Sequence, residues 1–474
     1  MIKIYFDWNV LSQMKNGNHS ELKEIIQQNN NLLIPFSTSH ISDISASFSE
    51  NEQQLNFIES DLEFISEITK DYCLYNNGKG VILDVYPPKE LFNQTIEDKE
   101  RFADLSIDGL MKSFEGNEMA ENLAKPLFEL LKTIPLDQAF KEAFENPESA
   151  DIMNRMFPGL KDNPTMDGFF KSFSKMNFNL NESDGYKDLR ETIQNGTGIN
   201  RDKIFDSKDP FKYIDESYEK LNLSVDNLNK KPDSTPQWFE DIQNEYIKLD
   251  MHGYQEDKVN ITKGRKETYK NTTEDAFHAA FASTCNFYVI NDKKSYKKTK
   301  KVYEKLKINT RVFKPEEFLD YYKKYLGYEN PALDFNIMEN LINSEHFELV
   351  ESESGIYKYY FFPYFLFGFF NKIVIFYPNE ENEDITTFLS QDKPTNWFIL
   401  NKEVETLLQR LLNFFGKDDE DLGELKSDEF NMEKWNGRKW KFDNATWRLQ
   451  SFNGYVQLYL DFESKKPAGN KELS

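Results

Sequence analysis

Four aspartates fall at segment boundaries where their carboxylates could act together. Asp7 follows the run IKIYF of residues 2 to 6, and Asp292 follows FYVI of residues 287 to 290, with Asn291 between. Both runs are short and rich in β-branched and aromatic residues, so both read as strands with an acid just past the carboxyl end. Asp43 follows a third such run, NLLIPF of residues 31 to 36, and sits one turn into a helix expected to start near Ser39. Asp275 is expected in the first turn of a helix, TEDAFHAAFASTC, capped by Thr273.

Ligands of an open parallel sheet bind beyond the carboxyl ends of its strands. Asp7 and Asp292 would both face that edge, and Asp43 can reach it from its helix. Asp275 depends on how its helix crosses the sheet. Four carboxylates in one cleft repel one another and raise one another's pKa values. A divalent cation relieves that conflict, and an oxygen-only donor set favours Mg2+ or Mn2+ over zinc. Such a cation activates water and stabilises charge on a phosphate in transfer. The constellation therefore points to phosphodiester hydrolysis rather than acyl transfer. No nucleophile elbow, HExxH motif or phosphate-cradling glycine loop competes with it.

The elements that must position these acids alternate strand and helix in two separated pieces. The first is residues 1–50. The second is residues 261–328, where FYVI is followed by a helix from Lys293 to Leu306 and a strand, TRVF, ending at Phe313. A last helix opens with Pro315, Glu316 and Glu317. This pattern predicts an α/β fold, one parallel sheet flanked by helices. Between the pieces, residues 51–260 carry apolar residues at three- and four-residue spacing and read as a large all-α insertion, with a loop from Asn222 to Pro236. Residues 329–474 read as a separate α+β domain. It has a helix holding Asn340, strands such as IVIFY ending at Tyr377, and a hairpin at Asn453-Gly454; Asn436-Gly437 is a second hairpin candidate. A chain of 474 residues accords with two or three domains.

Charge limits the partners. The formal net charge of −23 repels polyanions at long range, so binding to nucleic acid would need a local basic patch. The segment KKSYKKTKKVYEKLK, Lys293 to Lys307, holds eight lysines and one glutamate; ITKGRKETYK, Ile261 to Lys270, adds four basic residues against one acid. Lys293, Lys294 and Lys297 lie next to Asp292 and suit phosphate contacts; a solvated helix face is the competing reading. The two cysteines, Cys73 and Cys285, give no disulfide framework and fit a reducing compartment. No secretory leader is expected, and the most apolar window, Ile356 to Phe370, is short for a membrane span and contains Lys358 and Pro363. A cytoplasmic protein with no membrane partner is the expectation.

His278 lies three residues after Asp275 on the same helix face. It is placed to touch substrate or, as the plainer expectation, to pack beside the site and hydrogen-bond an acid. Glu274 reads as a helix-dipole residue and Cys285 as core. Trp435, Trp440 and Trp447 read as buried in a small sheet, and KDDEDLGE from Lys417 as a solvated loop.

DWN at Asp7 to Asn9, SHISD at Ser39 to Asp43, DAFHAAFA from Asp275 and FYVINDKK from Phe287 resemble the four motifs of PIN-domain nucleases, in order and in spacing within each half. The resemblance covers roughly a quarter of the chain. It implies a PIN-like sheet, with Asp7, Asp43, Asp275 and Asp292 as metal-binding acids for Mg2+ or Mn2+. It implies Asn9, Ser39 and Asn291 in support, and RNA as substrate of an endoribonuclease. Two features depart from the family. Its second acid is usually glutamate, and the insertion is far longer than in a minimal PIN domain. An appended domain on such a nuclease is associated with bacterial toxins and anti-phage effectors, which is an argument from architecture. Two other readings stand beside it. One is a catalytically weak PIN-like scaffold working through a protein partner, or as a homo-oligomer, by the insertion or the carboxy-terminal domain. The other is a structure-specific DNase.

Overall fold

The computed structural model describes residues 1–462 apart from 50, 102–106, 113–124, 127, 131, 148–149, 183, 223–234, 263–264, 328–329, 345, 380–383, 393–399, 427–428, 432, 444 and 453. The interior of the loop expected at Asn222 to Pro236 lies outside these residues.

Side-chain alternation in IKIYF lets one strand serve two layers. β1 (Ile2–Phe6) is wholly buried, with Ile2, Ile4 and Phe6 in one apolar cluster and Tyr5 in the other. It pairs in parallel with β2 (Leu32–Leu33) on one side and with β8 (Phe287–Val289) on the other; β8 pairs in parallel with β9 (Arg311–Phe313). The result is a four-stranded parallel sheet of order β2-β1-β8-β9. Helices α1 (Trp8–Lys15) and α2 (Ser20–Gln28) connect β1 to β2, and their apolar faces join the Ile2/Ile4/Phe6 cluster. The chain leaves β1 toward one neighbour and returns from the insertion to the other. The carboxyl ends of β1 and β8 therefore flank a topological switch point, the place where open α/β sheets bind their ligands.

Several sequence expectations need correction. NLLIPF is not one strand. Its first half is β2, and Phe36–Ser37 forms β3 in a different sheet; Pro35, which has no N–H to give a ladder, separates them. The insertion is not all-α. After α3 (Thr38–Ser45) and α4 (Glu52–Thr69), β4 (Tyr72–Asn76) and β5 (Val81–Val85) form an antiparallel hairpin that extends β3. YCLYN and VILDV are β-rich runs around Asn77-Gly78, a turn signal masked by the long helical segments on either side. β6 (Asn260–Thr262) and β7 (Arg265–Glu267) make a second small hairpin. α5 (Pro88–Arg101) follows β5 and packs against α3.

The helix carrying Asp275 runs from Tyr269 to Ala282 and is capped by Thr268, not Thr273. The Thr268 side chain and Asn271 form a reciprocal cap, so Asp275 lies in the second turn. The lysine-rich helix spans Lys293–Lys305.

The carboxy-terminal part is a separate antiparallel sheet. Its order is β10 (Glu348–Ser352), β11 (Gly355–Leu366), β12 (Phe370–Pro378), β13 (Thr386–Ser390), β16 (Tyr455–Phe462), β15 (Ala445–Phe452) and β14 (Lys434–Phe442). The helix Leu400–Phe415 packs on it through Val404, Leu407, Leu408 and Leu411, and Trp435 and Trp440 are buried in the same cluster. Phe452 pairs with Tyr455, which puts a turn where Asn453-Gly454 was expected, though Asn453 itself is outside the described residues. Asn436-Gly437 is not a hairpin. It lies inside β14 at a bulge between Trp435 and Arg438, where a Cβ on Gly437 would stand 1.9 Å from the Leu449 carbonyl. The KDDEDLGE loop is organised around one buried acid, Asp418, which accepts N–H bonds from Glu420, Leu422 and Gly423. Among the described residues, no helix is long and apolar enough to cross a membrane.

Candidate functional site

Asp7 caps α1 by position, yet its carboxylate makes no capping hydrogen bond. It is buried at the carboxyl end of β1, and its carboxyl is pushed up from 3.8 to about 6. Burial is the main cause; the Asp43 and Asp292 charges add to it, and His278 opposes it. Asp292 stands at the matching place after β8. Its Oδ1 accepts the Lys294 and Ser295 amides at 2.9 and 2.7 Å, which anchors it at the amino end of the lysine-rich helix. Those bonds use Oδ1 alone.

Asp275 reaches the same cleft from its helix. Burial raises its carboxyl well above the ordinary range, with Asp7, Asp257 and Asp292 adding and Lys298 opposing. The Tyr246 hydroxyl, from the insertion helix Gln237–Met251, donates to Asp275 Oδ2 at 3.2 Å and meets Ser295 Oγ at 2.6 Å. Asp43 presents Oδ2 to His278 Nε2 at 2.9 Å. Asp7 thus feels the charges of Asp43 and Asp292, and Asp275 feels those of Asp7 and Asp292. Among the described residues, no lysine or arginine forms an ion pair with Asp7, Asp275 or Asp292.

Beneath the acids lies a buried polar chain that sequence reasoning missed. The Tyr5 hydroxyl sits 2.6 Å from Ser37 Oγ and 2.7 Å from His278 Nδ1. Burial works against charge on His278, but the hydrogen bond and charge of Asp43, joined by Asp7 and Glu274, lift it to about 9. His278 is therefore an imidazolium at neutral pH, donating to Asp43 on one side and to Tyr5 on the other. His40 is its opposite. Burial and the neighbouring His278 charge hold its pKa well below the usual value; its Nδ1 accepts the Ser37 amide at 3.0 Å and its Nε2–H donates to the Phe6 carbonyl at 2.8 Å. Tyr5 gave no sequence signal beyond carrying a polar tip in a buried strand.

The supporting residues divide. Ser39 is buried in the first turn of α3, where its amide donates to Ser37 Oγ at 3.2 Å. Asn291 donates to Gln13 Oε1 at 2.9 Å. Asn9 and Lys293 are exposed. Lys294 lies 3.2 Å from Asp257, and Lys297 lies 2.7 Å from Asp206. Lys298 is fully buried between Asp250 at 2.8 Å and Asp257 at 3.0 Å, and Asp250 also meets Arg190 at 3.2 Å. The lysine-rich helix is thereby a seam holding the insertion to the sheet. Glu274 is more than a dipole residue: it accepts the Ser42 hydroxyl at 2.5 Å across to α3. Within ITKGRKETYK, the side chains from Ile261 to Glu267 lie outside the described ones.

The donor set is of the oxygen-only kind that a hard divalent cation takes, and three of its members, Asp7, Asp275 and Asp292, have no lysine or arginine ion-pair partner among the described residues. Among the described residues, no three histidine, cysteine, aspartate or glutamate side chains stand close enough together to hold a metal ion. No family model, no curated protein and no solved structure matches this chain.

Proposed function

We propose that the chain is a metal-dependent endoribonuclease with a PIN-like site at the β1/β8 switch point. The observation that carries this reading is the placement of Asp7 and Asp292 just past the carboxyl ends of the neighbouring parallel strands β1 and β8, with no lysine or arginine among the described residues pairing with Asp7, Asp275 or Asp292. Asp7, Asp43, Asp275 and Asp292 would hold Mg2+ or Mn2+. When bound, that cation supplies Lewis-acid stabilisation of the phosphate and an activated water.

The rest falls to the chain's own groups. His278 orients Asp43 through a charge-assisted hydrogen bond and is itself fixed by Tyr5. The helix amides after Asp292 hold its Oδ1 and leave its second oxygen out of those bonds. Tyr246 ties Asp275 to the insertion, so the insertion takes part in shaping the site. Water oxygen bonds to phosphorus as the bond from phosphorus to the leaving oxygen breaks, and that oxygen leaves with a proton.

Purified protein given Mn2+ is expected to cleave single-stranded RNA, to stop on chelation and to resume on metal return, while sparing branched DNA. Cleavage of branched DNA in preference to RNA would favour the DNase reading. No cleavage of either would favour the scaffold reading.

A further inference from the structure

We infer that Lys314, Lys99 and Lys270 form a phosphate track across the carboxyl-end edge of the sheet, gripping the backbone of single-stranded RNA on both sides of the four aspartates. This rests on the phosphodiesterase reading of the site and names the groups that hold its substrate.

The inference starts from where the basic charge is committed. Five of the eight lysines between Lys293 and Lys307 are paired with carboxylates: Lys294 with Asp257, Lys297 with Asp206, Lys298 with Asp250 and Asp257, Lys301 with Glu304 and Lys305 with Glu245. Charge neutralised in this way contributes little to a phosphate site. Among the described residues, Lys99, Lys270 and Lys314 form no ion pair, and each comes from a different element.

The strand order places them. Lys314 follows β9, the neighbour of β8, and its Nζ donates to the carbonyl of Asn291, the residue before Asp292, at 2.6 Å. The Tyr296 ring lies 4.9 Å from the same ammonium. At the other end, α3 packs against both α5 and the Asp275 helix. Lys99 on α5 reaches over α3 to Ser45 Oγ at 2.6 Å, two residues beyond Asp43. Lys270 opens the Asp275 helix one turn before Glu274 and lies beside Lys99, whose pKa falls to about 8 from burial and from the Lys270 charge. The Glu274 carboxylate offsets part of the repulsion between the two ammonium groups without forming an ion pair with either, and a phosphate would complete the neutralisation. Read along the edge, the order is Lys314, Asp292, Asp7, Asp43 with His278, then Lys99 with Lys270. Lys314 follows β9, whereas Lys99 and Lys270 come from α5 and the Asp275 helix, so the two cationic ends would meet different phosphates of one strand.

The test measures binding of labelled single-stranded RNA against salt in an Asp7→Asn, Asp292→Asn background that leaves the RNA intact. Each phosphate contact adds about 0.7 to the slope of log affinity against log salt for a single strand. Adding Lys99→Met, Lys270→Met and Lys314→Met is expected to lower that slope by about 2. Removing equal charge by Lys300→Met, Lys301→Met and Lys305→Met is expected to change it by less than one contact. Equal losses in both triple variants, or no RNA binding by the parent, would overturn the track. Cleavage by the unaltered chain is followed separately. Cleavage with a slope insensitive to the three lysines defeats the track alone, whereas the expected slope loss without cleavage defeats the nuclease reading alone.

Discussion

Asp7→Asn is expected to lower RNA cleavage by at least about a hundredfold, the order that loss of one charge-stabilising group costs an active site, while raising the stability of the metal-free protein. The second effect follows from burial. Asp7 has its carboxyl pushed up from 3.8 to about 6, so its ionised form is disfavoured in the folded state by about 3 kcal/mol. The sign follows from proton linkage. Because the folded pKa lies above the unfolded one, the penalty is absent below 3.8, grows as pH rises toward about 6 and is complete at neutral pH. Asparagine removes the charge and keeps the shape. Chemical denaturation in chelator at pH 7 to 8 is therefore expected to show the variant more stable by up to about 3 kcal/mol, with the difference vanishing near pH 4. Mn2+ is expected to stabilise the unaltered chain and to do much less for the variant. A variant that is less stable at neutral pH, or that retains cleavage, contradicts a strained cation site at Asp7.

Lys298→Met is expected to destabilise the protein by about 3–5 kcal/mol. The ammonium is fully buried, bonded to Asp250 and Asp257, and stacked 5.1 Å from the Tyr246 ring. Burial alone would lower its pKa, but the Asp250 and Asp257 charges overcome that and raise it. Removing it leaves Asp250, itself buried, with Arg190 as its cationic partner and with hydrogen bonds from Tyr186, Thr272 and the Asp257 amide. Lys298 is also the charge that opposes the elevation of Asp275, so its loss drives that carboxyl further toward the neutral form. Activity and stability should therefore fall together. Lys297→Met removes the same charge from the more exposed pair with Asp206 and is expected to cost no more than about 1 kcal/mol in the same denaturation experiment.

The parallel sheet was legible because its strands carry continuous apolar runs ending in acids. IKIYF and FYVI have no plausible place other than a buried centre, and the acids after them mark its carboxyl edge. NLLIPF misled because periodicity is blind to which sheet a residue joins; only Pro35 hints at the break. The β4–β5 hairpin was lost because a window tuned to helices averages over five-residue strands. The lysines of the Lys293–Lys305 helix looked like a surface patch because sequence shows charge without its partner. Asp206, Asp250 and Asp257 lie 37 to 91 positions earlier in the chain and meet those lysines only after folding. His278 was readable as a partner of an acid from its spacing to Asp275. The acid it bonds is Asp43, on a helix 235 positions away. Tyr5 and Tyr246 were not readable at all, since aromatic residues in apolar segments are core by default and only tertiary contact shows which hydroxyl faces an acid.

A crystal of the full chain soaked in Mn2+ and measured for manganese anomalous scattering tests the shared-cation claim most directly. One strong peak is expected between the carboxylates of Asp7 and Asp292, with Asp43 and Asp275 turned toward it, and that peak should disappear in Asp292→Asn. If manganese binds elsewhere, or if Asp7 and Asp292 remain without metal at saturating Mn2+, these acids are not a cation site.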